Sequence, residues 1–171
     1  NLDYIEGLGT SAIWLTPSFM NKPVQGVGAD ASAGYHGYWP SDFTEANPRF
    51  GTLEELRALV DDAHARGMLV ILDVVPNHAG RVFTYDLDAD GEVDDGEIEP
   101  PYADPPYTAP LLFSHAPRMW RRVGEAWERF ALGPEHFHRR GFGDLSDQTQ
   151  KELGDFPTGL RDLDTENPDV V

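Results

Sequence analysis

The densest chemistry in the chain is DLDADGEVDDGEIE, residues 86–99, where eight carboxylates run without a lysine or arginine among them. Like charges this close repel, so the run is either spread into water or gathered around a cation. Counted from Asp86, acids fall at loop positions 1, 3 and 5 (Asp86, Asp88, Asp90), with Gly91 at 6 and Glu92 at 7. Asp94 stands at 9 and Glu97 at 12, the register of a calcium loop of EF-hand type. There the glycine makes the sharp turn, Glu92 serves through its backbone carbonyl, and Glu97 binds with both oxygens. The register favours calcium over a solvated run. Flanking helices are not expected, because Pro100 and Pro101 follow closely and Gly80, Val82 and Thr84 make a poor entry helix. Such a loop staples a fold and does not switch it.

A second candidate is ILDVVPNH, residues 71–78. Asp73 interrupts an otherwise apolar strand, and a carboxylate there must be hydrogen-bonded or paired. Asn77 and His78 follow the strand's C-terminal end, where α/β architectures bind ligands. The competing reading is a plain turn at Pro76-Asn77. Among the other histidines, His64 reads as a surface residue of a helix. His136 and His138 alternate as on a strand and have metal-binding chemistry, but with no third ligand in view they read as structural. Trp120 and Trp127 read as core.

The elements that must position these residues are clearest before residue 79. Leu2, Ile5 and Leu8 follow helical spacing, with Gly7 and Gly9 as a stop. AIWLTP, residues 12–17, reads as a buried strand, and 18–51 as a long loop rich in glycine, proline and aromatics. Thr52 and Glu55 form a capping-box pattern at the start of a helix whose apolar face is Leu53, Leu56, Leu59, Val60 and Ala63. Gly67 ends it, and MLVILDVV reads as a strand covered on both faces. Strand, helix, strand is a βαβ unit and implies a parallel sheet. Residues 79–160 hold more than half of the fourteen prolines and show no second such unit. They exceed any ordinary βα loop and read as an inserted subdomain.

Composition narrows the function classes. At 171 residues and 40% apolar content the chain can bury a core. A net charge of −17 argues against nucleic acid or an anionic membrane as partner. With no cysteine there is neither a disulfide nor a thiolate metal site. No apolar run approaches the ~20 residues of a membrane-spanning helix. The chain opens without Met, in what reads as the end of a helix, and is expected to be a segment of something longer.

Taken with two further stretches, DVVPNH resembles a signature region of the α-amylase family, glycoside hydrolases built on a (β/α)8 barrel. AGYHGYWPSDFTEANPRFGTLEEL looks like the loop and helix that precede it there. LRDLDTENPDV resembles the stretch that closes the family's inserted domain B. The three stand in the family's order and the likeness spans nearly the whole chain, although residues 101–150 match nothing that can be placed. The fold class implied is α/β, a partial (β/α)8 TIM barrel with an inserted, irregular, calcium-binding domain B. Residues 1–78 would belong to the barrel, 79–160 to domain B, and 161–171 to the return.

The resemblance implies roles residue by residue. Tyr38 matches a tyrosine whose ring lies under the sugar beside the cleaved bond, flanked by His36 and Trp39. His78 matches a histidine that hydrogen-bonds a sugar hydroxyl, and Asp73 a supporting aspartate. Asn77 and Asp162 match ligands of one calcium ion, so two calcium sites are expected in all. Arg161 stands where proline is common, and Asp164 where asparagine is frequent. Sugar rings carry apolar C–H faces that pack on aromatics and hydroxyls that need polar partners, which suits these residue types. The chemistry also needs a nucleophile and an acid/base carboxyl, which the family places beyond the position of Val171; no catalytic residue is expected here. The function implied is part of a retaining hydrolase of α-1,4-glucans, partnered by its substrate and the rest of its own barrel. The alternatives are a transglycosylase or isomerase of the same family, or a non-catalytic calcium- or carbohydrate-binding homologue. A secreted or periplasmic location fits the acidic surface and the calcium loop.

Overall fold

The computed structural model describes residues 1–26, 28–156 and 159–170. In the first part the order is α1 (Leu2–Gly7), β1 (Ala12–Leu15), β2 (Phe19–Asn21), β3 (Val24–Gln25), β4 (Ser32–Ala33), β5 (Pro40–Ala46), α2 (Leu53–Ala65) and β6 (Leu69–Leu72). There follow β7 (His78–Ala79), β8 (Phe83–Tyr85), α3 (Asp95–Ile98), β9 (Leu111–Phe113), β10 (Arg118–Val123), β11 (Ala126–Ala131), α4 (Gln148–Leu153) and β12 (Arg161–Asp162).

The expected βαβ unit is present. Strands β1 and β6 pair in parallel, from Ala12 opposite Leu69 to Leu15 opposite Leu72. Helix α2 starts where it should: Thr52 Oγ1 accepts from Glu55 N at 3.1 Å, and Glu55 Oε2 accepts from Thr52 N at 2.8 Å. Gly67, at φ +72°, turns the chain out of the helix towards β6. One expectation fails. The apolar run of β6 predicts a strand covered on both faces, yet Leu69 and Ile71 are exposed, and Trp14 on β1 is 71% exposed. The described residues close no barrel, because two parallel strands cannot surround an interior that takes eight.

The stretch 18–51, read as loop, holds four short strands, with β2 antiparallel to β5 and β3 to β4. Strand β5 escapes a hydrophobic-pattern reading because its buried positions include Ser41, Asp42 and Thr44. Burying that carboxylate is tolerated because Thr44 Oγ1 donates to Asp42 Oδ1 at 2.6 Å and Arg118 pairs with Oδ2 at 2.6 Å.

The main core lies after residue 78. It comprises Ala79, Val82, Phe83, Tyr85, Leu132, Phe137, Leu163 and Val170, with Phe113, Met119 and Phe130 packed against it. Trp120 and Trp127, read as core, are 49% and 66% exposed. They sit on the β10–β11 hairpin, which turns at Gly124 (φ +63°), where Met119 pairs with Phe130 and Trp120 with Arg129. Side chains alternate between faces of a hairpin, so the face that carries Met119 and Phe130 meets the core and the tryptophans face away.

Candidate functional site

Two strand ends build the site. Asp73 follows β6, and its N–H donates to Leu15 O at 3.0 Å, so the ends of β1 and β6 lie side by side. The chain then turns through Asn77 into β7 and returns 85 residues later as β12, antiparallel to β7, with Asp162 opposite His78. That return brings distant residues together: Asn77 Nδ2 donates to Asp162 Oδ1 at 3.2 Å, and Leu163 N to Asn77 O at 3.0 Å.

The aromatic stretch lies against the same end. Tyr38 Oη donates to Asp73 Oδ2 at 2.6 Å, and that bond raises the phenol's pKa. His36 and Tyr38 are stacked, with ring centroids 5.7 Å apart and planes at 21°. Tyr38 N donates to His36 Nδ1 at 3.0 Å. His78 Nε2 donates to Tyr38 O at 3.1 Å, since a carbonyl can only accept. Burial holds the His78 pKa below its ordinary value, with the Tyr38 carbonyl opposing. The ring is therefore neutral near pH 7 and its lone pair sits on Nδ1. Tyr38 keeps 40% exposure, but Trp39 is buried and meets His36 edge-on at 4.6 Å. It backs the wall from behind. The strong bend before Tyr38 rests on Gly37 (φ +85°), where a Cβ would lie 2.5 Å from Pro17 O.

Sequence reasoning missed four residues here. Asn21, 7% exposed, accepts from Trp39 N at 2.7 Å and donates to Gly34 O at 2.5 Å, and so fixes both ends of the aromatic stretch. Arg161 and Asp155 form a fully buried ion pair at 2.7 Å, and Asp155 Oδ1 accepts from Asp162 N at 3.1 Å. His138 lies beside Asp162, Nδ1 to Oδ2 at 2.5 Å, with Nε2 2.8 Å from Glu166 and 3.5 Å from Asp164. So the third ligand thought lacking for His138 exists, and His138, Asp164 and Glu166 form a group that can hold a metal. His136 is not part of it; its ring turns back to Gly133 N at 2.8 Å. Hydrogen bonding to Asp162 pushes His138 up to about 9, while burial raises Asp162 to about 6 against the pull of His138. At neutral pH both are charged, so His138 would ligate a metal only on losing that proton.

The acidic run folds as a tight loop between β8 and α3. Gly91 takes φ +81°, and Asp86 Oδ2 accepts from Gly91 N at 3.3 Å. Asp86, Asp88 and Glu97 bring one oxygen each to within 4.8 Å of one another, and Asp88, Asp90 and Asp94 do the same. Glu92 belongs to neither group. Desolvation, then the charges of Asp90, Glu97, Asp88 and Glu92, raise the Asp94 pKa. The residues fit a hard cation: the donors are all oxygen, and Asp86 Oδ1 is buried without a hydrogen-bond partner. The entry element is a strand, and α3 is a single turn ended before Pro100.

A family model described as "Alpha amylase, catalytic domain" matches residues 1–171. An α-amylase of Streptomyces lividans is 40% identical over 186 residues, 99% of this chain and 20% of that protein. A cyclomaltodextrin glucanotransferase of Geobacillus stearothermophilus is 46% identical over 83 residues, 46% of this chain and 11% of that enzyme. In structure, the Geobacillus thermoleovorans α-amylase complexed with acarbose matches 99% of this chain and 26% of its own, at TM-score 0.57 and 35% identity. The chain thus spans about a fifth to a quarter of the relatives it matches end to end. A family match over every residue, on a fold shared with a solved α-amylase, places the chain in the α-amylase family, within its catalytic domain.

Proposed function

We propose that this chain forms one wall of the cleft of a retaining glycoside hydrolase that cleaves α-1,4-glucosidic bonds in starch or maltooligosaccharides. The observation that carries this reading is the convergence of Tyr38, His36, His78 and Asp73 at the C-terminal ends of a parallel strand pair. The half-exposed Tyr38 ring offers an aromatic face to a sugar's C–H face. Its hydroxyl, tied to Asp73, keeps that face from rotating. His78, neutral and with Nε2–H spent on Tyr38 O, accepts from a sugar hydroxyl through Nδ1. Trp39 and Asn21 hold the wall rigid, which is what positions a substrate within reach of reacting groups. The acarbose complex of the Geobacillus thermoleovorans enzyme supports this ligand class.

In this reading residues 1–78 and 161–171 belong to the barrel, and 79–160 are the inserted domain B. Asn77 and Asp162 would hold a calcium ion that supplies a structural cross-link between the end of β6 and the returning strand, with no part in bond breaking. No carboxyl of this chain is assigned as nucleophile or acid/base; a retaining mechanism needs two such groups about 5–5.5 Å apart. Among the described residues no helix is long and apolar enough to cross a membrane; the acidic surface suits a secreted or periplasmic enzyme.

The similarity to a cyclomaltodextrin glucanotransferase favours one second reading, transfer of the glycosyl group to a sugar instead of water. Product analysis of the intact protein on a maltooligosaccharide separates them. Shorter reducing sugars alone support hydrolysis, longer or cyclic products support transfer, and no turnover contradicts both.

A further inference from the structure

The loop between β8 and α3 has a property that an acidic run in water lacks. Asp86 is 3% exposed and Glu97 5%, and Asp86 Oδ1 has no hydrogen-bond partner. A buried carboxylate oxygen left unpaired is costly unless a cation meets it. Asp88, from the exposed side, brings a third oxygen into the same space. The loop's two ends are also tied to one buried pair. Tyr85, just before Asp86, donates from Oη to Asp155 Oδ2 at 2.9 Å. Ile98, just after Glu97, accepts through its carbonyl from Arg161 Nη2 at 2.9 Å. Arg161 pairs with Asp155, and Asp155 Oδ1 receives the N–H of Asp162.

We propose that residues 86–97 form a calcium site, and that its occupancy is coupled through the Asp155–Arg161 pair to the Asn77–Asp162 site. The coupling rests on the reading of Asn77 and Asp162 as calcium ligands; the loop site does not. Asp86, Asp88, Asp90, Asp94, Glu97 and the Glu92 carbonyl supply an all-oxygen set, large enough for calcium's six to eight ligands and poorly suited to the strict octahedron of magnesium. Closing the loop on an ion fixes Tyr85 and Ile98. Tyr85, Arg161, Asp155 and Asp162 are all 2% exposed or less. A packed interior has little room for one of them to shift alone, so fixing the loop's ends fixes Asp162. An empty loop loosens Asp155 and Arg161, and the Asn77–Asp162 end binds its ion more weakly.

The test is calcium titration calorimetry on the intact protein, with magnesium as control. Wild type is expected to show two calcium events. Asp88→Ala with Asp90→Ala, both exposed positions, should remove one event and weaken the other by about fivefold or more, the usual lower range of coupling between sites. Linkage is reciprocal, so Asp162→Asn should remove the second event and weaken the loop by the same factor. Tyr85→Phe deletes one hydroxyl and keeps the packing; in that background the same Asp88/Asp90 change should weaken the remaining event less. Unchanged heats in the Asp88/Asp90 variant overturn the loop site. Loss of one event without weakening of the other overturns the coupling, as does full coupling in the Tyr85→Phe background. If Asp162→Asn removes no event, the Asn77–Asp162 reading falls and the coupling with it, while a loop event lost on Asp88/Asp90 replacement still upholds the loop site.

Discussion

Arg161 is the residue whose loss should be felt most. Its guanidinium is fully buried, pairs with Asp155 at 2.7 Å, and donates to Phe83 O at 3.0 Å and Ile98 O at 2.9 Å. It also lies 4.8 Å from the Phe83 ring centroid and 5.2 Å from that of Tyr85. Arg161→Met fills much of the volume but leaves a buried carboxylate without its cation, and the buried Phe83 carbonyl and the partly buried Ile98 carbonyl without this donor. Breaking a buried pair by removing one partner costs ~3–5 kcal/mol. Each stranded carbonyl adds ~1 kcal/mol or more, and the lost ring contacts ~0.5–2 kcal/mol. These terms overlap, since Asp155 keeps its bonds from Tyr85 and Asp162 N–H, so we expect about 4–5 kcal/mol in all. The assay is urea denaturation of the intact protein, followed by near-ultraviolet circular dichroism. Asp155→Asn combined with Arg161→Met should fall short of the sum of the single losses by about 2 kcal/mol or more, because the uncompensated charge is gone. A loss below about 1 kcal/mol in Arg161→Met, or strict additivity in the double variant, refutes the pair as the fold's central tie.

Two further outcomes follow from local geometry. Gly37→Ala places a Cβ 2.5 Å from Pro17 O at a positive φ; it should displace Tyr38 and lower kcat/KM on a maltooligosaccharide about tenfold or more, as small misplacements at a site do. Thr52→Ala removes one half of the capping box of α2 and should lower stability by about 1 kcal/mol, read as a shift in urea midpoint at unchanged slope.

What the sequence made legible follows from the kind of signal each element carries. The βαβ unit was readable because α2 states its start in a capping box and its stop in Gly67, and both flanking strands are apolar runs. The Asn77–Asp162 contact was readable only through motif likeness, since nothing local links residues 85 positions apart; β12 pairing with β7 is what joins them. Strand β5 was hidden because its inner face is polar and depends on Arg118, a partner 76 positions from Asp42. Trp120, Val123, Trp127 and Phe130 imitate helical spacing, and only the turn at Gly124 reveals that they lie on two strands. Arg161 looked like a departure from a proline, yet it is the best-bonded cation of the buried core. His138 looked isolated because Asp162, Asp164 and Glu166 lie some two dozen positions on.

The claim that this wall holds an α-glucan is tested most directly by kcat/KM on a maltooligosaccharide for Tyr38→Ala and Tyr38→Phe in the intact protein. The alanine removes the face, and an aromatic contact is worth ~0.5–1.5 kcal/mol beyond buried area, a loss of about twofold to tenfold or more. The phenylalanine keeps the face and loses only the bond to Asp73 at 2.6 Å, so it should lose less. That ordering is the result the account predicts. Equal losses would give the role to the hydroxyl, and wild-type rates in both variants would contradict the account.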